Sequence, residues 1–403
     1  MYKTGVRGLS LQILLSIIVL TILLAASIYD IASLASSFKM ANLHRLLTAR
    51  ARIYTEEVET ERRWDEIVLN GDEGEVKVLF VAGRWAQDIE KSERLKELRK
   101  HAKVDVALTG DEKQLIEKVR DVDVIITGGS ITATVIDAAP RLKMIQTTSV
   151  GFDYIDEGAA AAKGVIICNV AGVNANSVVE LDFGMILDIA RRIGAHNRLM
   201  REEGWGRVEV ERQVEIRNST IGIVGLGAIG SRMAQFATQA FNMKVLANDP
   251  YITEARAQQF NAELVDIETL FKESDIVTIH VPLNDETRHM IGERLLRLMK
   301  PTAIFVSSAR GPIVDEEALI KVLREKRISG ACLDVFEVEP LPKDSPLRSL
   351  DNVSIVPHIG STPGIMVEMR ETAVWNVLRV AKGEPPLNIQ MPKVYYTSSK
   401  WSH

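Results

Sequence analysis

The stretch IGIVGLGAIGSR, residues 221–232, decides the fold. An apolar run, Ile221-Gly222-Ile223-Val224, leads into Gly225-x-Gly227-x-x-Gly230. A helix-compatible segment, Ser231-Arg232-Met233-Ala234-Gln235, follows. A second apolar run, 243–247, ends just before Asp249, which lies nineteen positions beyond the last glycine. Strand, glycine turn, helix and a second strand ending in an acid make up the dinucleotide-binding fingerprint. In that pattern Gly225 permits the tight turn and Gly227 lets the backbone approach a pyrophosphate. Gly230 lets helix and strand pack closely. Backbone N–H groups at Ala228 and Ile229, on the helix N-terminus, face the phosphate charge. A bare GxGxxG is weak evidence, because glycine turns are common; the flanking strands and the spaced acid make this one specific.

Working outward, apolar β-rich runs alternate with helical patterns on both sides of the turn. Downstream the runs are 244–247, 276–280, 303–307, 330–335 and 353–356, six strands when 221–224 is included. Upstream they are 76–81, 104–108, 122–127, 142–147 and 165–168, separated by helical stretches such as 89–100 and 112–119. This alternation implies two parallel sheets, each covered on both faces. A long helical pattern at 177–193 carries Val178, Leu181, Met185, Ile189 and Ile193, and a second spans 365–382. The simplest topology is an α/β protein with two doubly wound domains. A Rossmann domain, 174–359, is inserted into a flavodoxin-like domain, 75–173 and 360–393, with two helices crossing between them. Ligands of such sheets bind outside the carboxyl ends of the strands, so the cleft between domains is the expected site.

The chain has 403 residues and a net charge of -5, too acidic for a nucleic-acid footprint. Cys168 and Cys332 lie inside apolar runs and read as buried small hydrophobes in a reducing compartment. The seven histidines show no ligand spacing, so no metal is expected. Residues 8–29 carry no charge and are mostly Leu, Ile, Val and Ala. About twenty helical residues span a bilayer core of roughly 30 Å. A single membrane anchor is the preferred reading of this run. The alternatives are a cleaved secretory signal and a true start downstream, at Met40. Because the nicotinamide pool is cytoplasmic, the dinucleotide domain is expected on that side of any membrane. Residues 31–69 read as a helical spacer or a short coiled-coil stalk, and Asn70-Gly71-Asp72-Glu73-Gly74 breaks the chain before the globular part.

Further motifs lie in a fixed order across residues 76–392. They are Ser149-Val150-Gly151-Phe152-Asp153-Tyr154-Ile155-Asp156, then Asn174-Ala175-Asn176-Ser177-Val178-Val179-Glu180, then the glycine turn and Asp249-Pro250-Tyr251. His280-Val281-Pro282-Leu283 and Ala309-Arg310-Gly311-Pro312-Ile313-Val314-Asp315 come next. Leu333-Asp334-Val335-Phe336-Glu337-Val338-Glu339-Pro340 and Pro357-His358-Ile359-Gly360-Ser361 close the series. In these motifs the chain resembles the D-isomer-specific 2-hydroxyacid dehydrogenases. The resemblance implies hydride transfer between NAD and a 2-hydroxy or 2-oxo acid, a homodimer formed through the glycine-fold domain, and Arg310, Glu339 and His358 as the catalytic set. It also implies cofactor contacts from Asp334 to the nicotinamide amide and from Val281, Ser308, Ala309, Arg310, His358, Gly360 and Ser361.

The residues support the same chemistry independently. Arg310 follows the run 303–307, and its fork can hold a carboxylate through two hydrogen bonds. His358 follows a strand end, and an imidazole, with an ordinary pKa of about 6.5, suits proton transfer. Glu339 also follows a strand, and a carboxylate beside that histidine favours its protonated form. Backbone N–H groups of Val150 and Gly151 are expected at the substrate carboxylate. Asp249 is expected on the ribose hydroxyls, where its charge would repel a 2′-phosphate and select NAD over NADP. His280 reads as a strand-end core residue, and His196 and His289 as surface positions.

Two residues depart from the family pattern: Ser307, where Asn is usual, and Ala171, where Pro is usual. The first-domain loops Thr127-Gly128-Gly129-Ser130 and Thr147-Thr148-Ser149 carry no arginine for a phosphate. This favours a small unphosphorylated 2-oxo acid, such as glyoxylate or hydroxypyruvate. The alternatives are a phosphoglycerate dehydrogenase and a non-catalytic protein that senses NAD(H).

Overall fold

A computed structural model describes residues 75–83, 86–202, 204–207 and 213–390. The chain divides into two compact units, Met1–Asp72 and Glu73–His403, and the described residues belong to the second. The expected membrane anchor at 8–29 and the helical spacer at 31–69 lie outside the described residues. Among the described residues, no helix is long and apolar enough to cross a membrane.

Two sheets organise the second unit. The first contains β1 (Val76–Val81), β2 (Ala102–Ala107), β3 (Val124–Thr127), β4 (Met144–Thr147) and β5 (Ile166–Cys168). The second contains β6 (Thr220–Val224), β7 (Lys244–Asn248), β8 (Ala262–Leu264), β9 (Ile276–Ile279), β10 (Ile304–Ser307), β11 (Gly330–Leu333) and β12 (Val353–Ile355). The chain then returns to the first sheet as β13 (Ile389–Gln390). The first sheet runs β13-β5-β4-β3-β1-β2 and the second β12-β11-β10-β9-β6-β7-β8. Every pairing is parallel except β13 on β5.

The second order is that of a Rossmann sheet, with the reversal of winding at β6 and β9. Its central strands are buried on both sides, so they read as continuous apolar runs such as IFVS and IVTI. One face packs Leu270, Phe271, Leu296, Leu319 and Leu323. The other packs the helices α1 (Ala175–Arg191) and α2 (Ala228–Phe241) through Phe183, Ile186, Met233 and Ala237. The helix α3 (Pro363–Ala381) lies instead on the first sheet, against β3, β4 and the short helix Glu93–Leu98. Buried Asn376 of α3 anchors the returning chain. Its Nδ2 donates to Gln146 Oε1 of β4 at 2.7 Å and to the Leu387 carbonyl at 2.9 Å. Its Oδ1 accepts from the Leu387 N–H at 2.7 Å.

Four sequence expectations change. The second sheet has seven strands, not six, because β8 is only three residues long and lacks an apolar run. The first sheet is not wholly parallel, because the two residues of β13 add an antiparallel edge. The helix expected at 89–100 is two helices, Ala86–Ile89 and Glu93–Leu98. Ser92 ends the first by capping the second, its Oγ accepting from the Leu95 N–H at 3.1 Å. The helix expected at 177–193 starts at Ala175 and stops at Arg191, where Arg192 turns left-handed with φ 56°. Val178, Met185 and Ile189 are buried as expected, whereas Ile193 lies past the break and is 53% exposed.

Candidate active site

The glycine turn joins β6 to α2. Gly225 has φ +89°, and a Cβ there would lie 2.7 Å from the His280 carbonyl oxygen. A Cβ on Gly230 would lie 2.0 Å from the Gly225 carbonyl oxygen, so the helix passes too close to the turn for any side chain. Around Gly227 there is open space, and that residue supplies no side-chain cap to α2. Gly227 and Ala228 are exposed and Ile229 half-buried. Uncapped N–H groups therefore open onto a cradle that fits a pyrophosphate. Asp249 braces the turn: Oδ2 accepts from the Leu226 N–H and Oδ1 from the Tyr251 N–H, both at 2.9 Å. Val281 is 4% exposed and packs beneath Gly225.

Beyond β11 and β12 lies the histidine. His358 Nδ1 sits 2.8 Å from Glu339 Oε2, with both side chains partly open to solvent. The backbone of His358 is left-handed, φ +53°, and its N–H donates to the Asp334 carbonyl at 2.9 Å. Asp334 is 1% exposed and holds the same loop. Its Oδ1 accepts from the Ile359 N–H at 2.6 Å and its Oδ2 from the Gly360 N–H at 2.9 Å. Burial pushes the Asp334 carboxyl up, against the opposing pull of the Ile359 N–H. The other Glu339 oxygen, Oε1, accepts from the Phe336 N–H at 3.1 Å. The imidazole edge bearing Nδ1 is thus committed to a fixed carboxylate, and Nε2 lies on the opposite edge.

Arg310 leaves β10 and meets the loop after β4. Its Nε donates to Asp153 Oδ1 at 2.9 Å and its Nη1 to the Ala309 carbonyl at 2.8 Å. The guanidinium rests against Gly151, where a Cβ would lie 1.5 Å from Nη2. The loop is shaped by its own side chains. Thr147 Oγ1 donates to the Ser149 carbonyl at 2.5 Å, and Ser149 Oγ to the Gly151 carbonyl at 2.8 Å. Asn169 Nδ2 donates to the Val150 carbonyl at 2.7 Å. Tyr154 Oη lies 2.5 Å from Ser149 Oγ, and burial pushes that phenol up. All three loop carbonyls are thereby engaged.

The structure therefore joins His358 to Glu339 and Arg310 to the Val150-Gly151 loop. The other sequence candidates have structural partners of their own. Ser308 Oγ donates to Asp182 Oδ2 at 2.9 Å. Ser361 Oγ accepts from Asn174 Nδ2 at 3.2 Å, and the Thr362 N–H donates to Ser177 Oγ at 3.2 Å. These two contacts tie the starts of α1 and α3 together, where the chain crosses between sheets. Ser307 Oγ is buried and has no hydrogen-bond partner among the described residues. His280 is a buried core residue, as expected. Cys168 and Cys332 are buried free thiols, and burial pushes both up. Sequence reasoning missed Asp153, Asn169 and Asp182. Asp153 lay within a quoted motif, but nothing in the one-dimensional pattern connects it to Arg310.

A Rossmann sheet whose carboxyl edge carries a pyrophosphate cradle, an Arg and a His–Glu pair defines a nicotinamide-linked oxidoreductase. Comparison with known proteins identifies the kind. The profile of the "D-isomer specific 2-hydroxyacid dehydrogenase, NAD binding domain" matches residues 183–360. The chain is 42% identical over 281 residues to a glyoxylate reductase of Thermofilum pendens, covering 68% of this chain and 83% of that one. It is 39% identical over 305 residues to a D-3-phosphoglycerate dehydrogenase of Methanocaldococcus jannaschii, covering 74% of this chain and 58% of that one. Among solved structures, D-lactate dehydrogenase of Aquifex aeolicus, complexed with NAD and lactic acid, superimposes with a TM-score of 0.67 at 30% identity. That match covers 76% of this chain and 96% of the other. The chain belongs to the D-isomer specific 2-hydroxyacid dehydrogenase family. It is an NAD-dependent dehydrogenase that acts on the CH–OH group of 2-hydroxy acids.

Proposed function

We propose that the enzyme interconverts a small unphosphorylated 2-oxo acid and its D-2-hydroxy acid, with Arg310, Glu339 and His358 as the catalytic residues. The observation that carries this reading is the His358–Glu339 contact at 2.8 Å, on the same sheet edge as Arg310. Bound NADH supplies the hydride. Arg310 and the N–H groups of Val150 and Gly151 bind the substrate carboxylate. His358 Nε2 delivers the proton to the carbonyl oxygen and takes it back in the reverse direction. Glu339 stabilises the imidazolium and fixes the ring.

Gly225, Gly227, Ala228, Ile229 and Gly230 hold the pyrophosphate, and Asp249 accepts from the ribose hydroxyls. An anionic Asp249 disfavours a 2′-phosphate and so selects NAD over NADP. Val281, Ser308, Ala309, Gly360 and Ser361 line the nicotinamide half, with Asp334 at its amide. The cofactor domain spans 174–359, and the substrate domain spans 75–173 and 360–393.

Charge and hydrogen-bond occupancy support a substrate without phosphate. Arg310 already faces the carboxylate of Asp153, and the Thr147 and Ser149 hydroxyls are spent on loop carbonyls. A second dianionic group would find neither free cation nor free hydroxyl among these residues. Glyoxylate and hydroxypyruvate fit this site. The apolar run 8–29 supports a single membrane anchor with the catalytic unit facing the cytoplasm, and the family resemblance supports a homodimer.

NADH oxidation by the full-length chain tests the substrate. Glyoxylate or hydroxypyruvate should turn over at least a hundredfold more efficiently, in kcat/KM, than 3-phosphohydroxypyruvate. Preference for the phosphorylated acid would overturn the substrate reading. NADH binding without turnover of any 2-oxo acid would make the protein a sensor.

A further inference from the structure

Beneath the Arg310 loop lies a polar cluster that the mechanism above does not use. Asp182, in the middle of α1, is 0% exposed. Its neighbours along the helix, Val179, Phe183 and Ile186, are apolar and buried. Asp182 Oδ2 accepts from Ser308 Oγ at 2.9 Å, and Oδ1 has no hydrogen-bond partner among the described residues. His280 faces it from the end of β9, with Nε2 3.8 Å from Asp182 Oδ2 and 2.8 Å from Thr278 Oγ1. Buried Cys332, on β11, and Asp334, just past its end, adjoin it.

A carboxyl at this depth, held by one hydrogen bond, is a costly substitute for an apolar side chain. Its charge state removes most of that cost. Burial, with help from the nearby Asp334 charge, pushes the Asp182 carboxyl up to about 8, so it is largely protonated at neutral pH. Burial pushes His280 down to about 3, so the imidazole is neutral. The pair therefore places little net charge under the loop. What Asp182 retains is a hydrogen bond from the middle of a long helix to Ser308, two residues before Arg310.

We propose that Asp182 is a positioning residue for Arg310: through Ser308 it clamps the loop leaving β10 to α1 and fixes where the guanidinium is presented. The proposal rests on Arg310 being the cation that binds the substrate carboxylate. The helix gives the clamp its rigidity. α1 packs along β10, β11 and β12 and begins at the Asn174–Ser361 contact. A misplaced guanidinium binds the 2-oxo acid less well, whereas the glycine turn, on a different loop, is unaffected. The clamp should therefore act on the KM for the oxo acid rather than on kcat or the KM for NADH.

The test is NADH oxidation by the full-length chain at pH 7, with glyoxylate as the probe. D182V should raise the KM for glyoxylate about tenfold, with kcat and the KM for NADH changed less than about threefold. D182N keeps an oxygen for Ser308 and should return that KM to within about threefold of wild type. S308A should reproduce the rise in the KM for glyoxylate seen in D182V, and in that constant the D182V/S308A double variant should be no worse than either single change. Independent, multiplying penalties would overturn the proposal. So would an unchanged KM in D182V beside a raised KM in R310A. If D182V does not fold, S308A decides: a KM within twofold of wild type overturns the clamp. R310A with an unchanged KM would overturn the Arg310 reading, and the clamp with it.

Discussion

Arg310 Nε donates to Asp153 Oδ1 at 2.9 Å, an ion pair between residues 157 positions apart that joins the edge of the second sheet to a loop of the first. One edge of the guanidinium is thereby occupied, and Nη2 lies against Gly151, beside the loop N–H groups assigned to the substrate. Lysine has no second edge to offer. R310K should raise the KM for glyoxylate about 10- to 100-fold, the loss expected for one or two charge-assisted hydrogen bonds. D153A should raise it about fivefold with kcat nearly unchanged. Steady-state kinetics on both variants checks this, and equal KM values in wild type and D153A would remove Asp153 from the account.

The His358–Glu339 contact makes a different prediction. H358A should lower kcat by about 10²–10⁴, the usual worth of a positioned acid–base group, while NADH still binds. E339Q keeps the hydrogen-bonding shape but removes the charge that stabilises the imidazolium. It should lower the rate of oxo-acid reduction by loosening the imidazole from its fixed orientation. Pre-steady-state NADH oxidation separates these effects from product release. An H358A enzyme of wild-type rate would assign the proton to another group.

Close packing at the glycine turn predicts a third result. G230A would place a methyl 2.0 Å from the Gly225 carbonyl oxygen, a backbone atom that cannot move without opening the turn. NADH affinity should fall at least a hundredfold by fluorescence titration, with a stability loss of about 1–3 kcal/mol from overpacking. G227A, with open space around it, should leave stability unchanged and weaken NADH binding only.

His280 gives the fold an acid limit. Its imidazole is pushed down to about 3 by burial, against about 6.5 in the unfolded chain. Between those values the unfolded state binds the extra proton, so the His280 contribution falls as pH drops from about 6.5 toward 3, while the raised carboxyl of Asp182 beside it contributes the opposite slope below about 8. The slope from this one group is about 1.4 kcal/mol per pH unit. Urea unfolding should show wild type losing stability relative to H280N as pH drops from about 7 to about 5, because only the His280 contribution differs between them. Parallel stability curves for the two proteins would show that His280 is not the group responsible.

Most of the fold was legible because parallel strands buried on both faces announce themselves as apolar runs. Ile221 to Val224 and Ile304 to Ser307 could be placed to within a residue. The exceptions were short. β8 has three residues and β13 has two, and each is a strand only because a neighbouring strand offers hydrogen bonds. The break after Arg191 was hidden because Ile193 continues the helical apolar period, although it falls past a left-handed residue onto the surface. In the candidate site, Arg310, Glu339 and His358 could be nominated from residue type, strand-end position and family motif together. Their supports were not. Asp153 reads as a loop acid and Asn169 as a loop amide. Asp182 reads as a polar interruption of an amphipathic helix.

The sequence by itself determined the two wound sheets, the glycine turn and the dinucleotide, and it nominated the three residues proposed for the chemistry. These depend on local pattern: apolar period, glycine spacing and which side chain follows which strand. Only the tertiary structure decided that Asp153 takes one edge of Arg310, that Asn169, Thr147 and Ser149 engage the loop carbonyls, and that Asp182 lies under Ser308. The last of these contacts spans 126 positions and the first 157. Contacts at such separations arise when separate elements are packed against one another, and no periodicity along the chain encodes them.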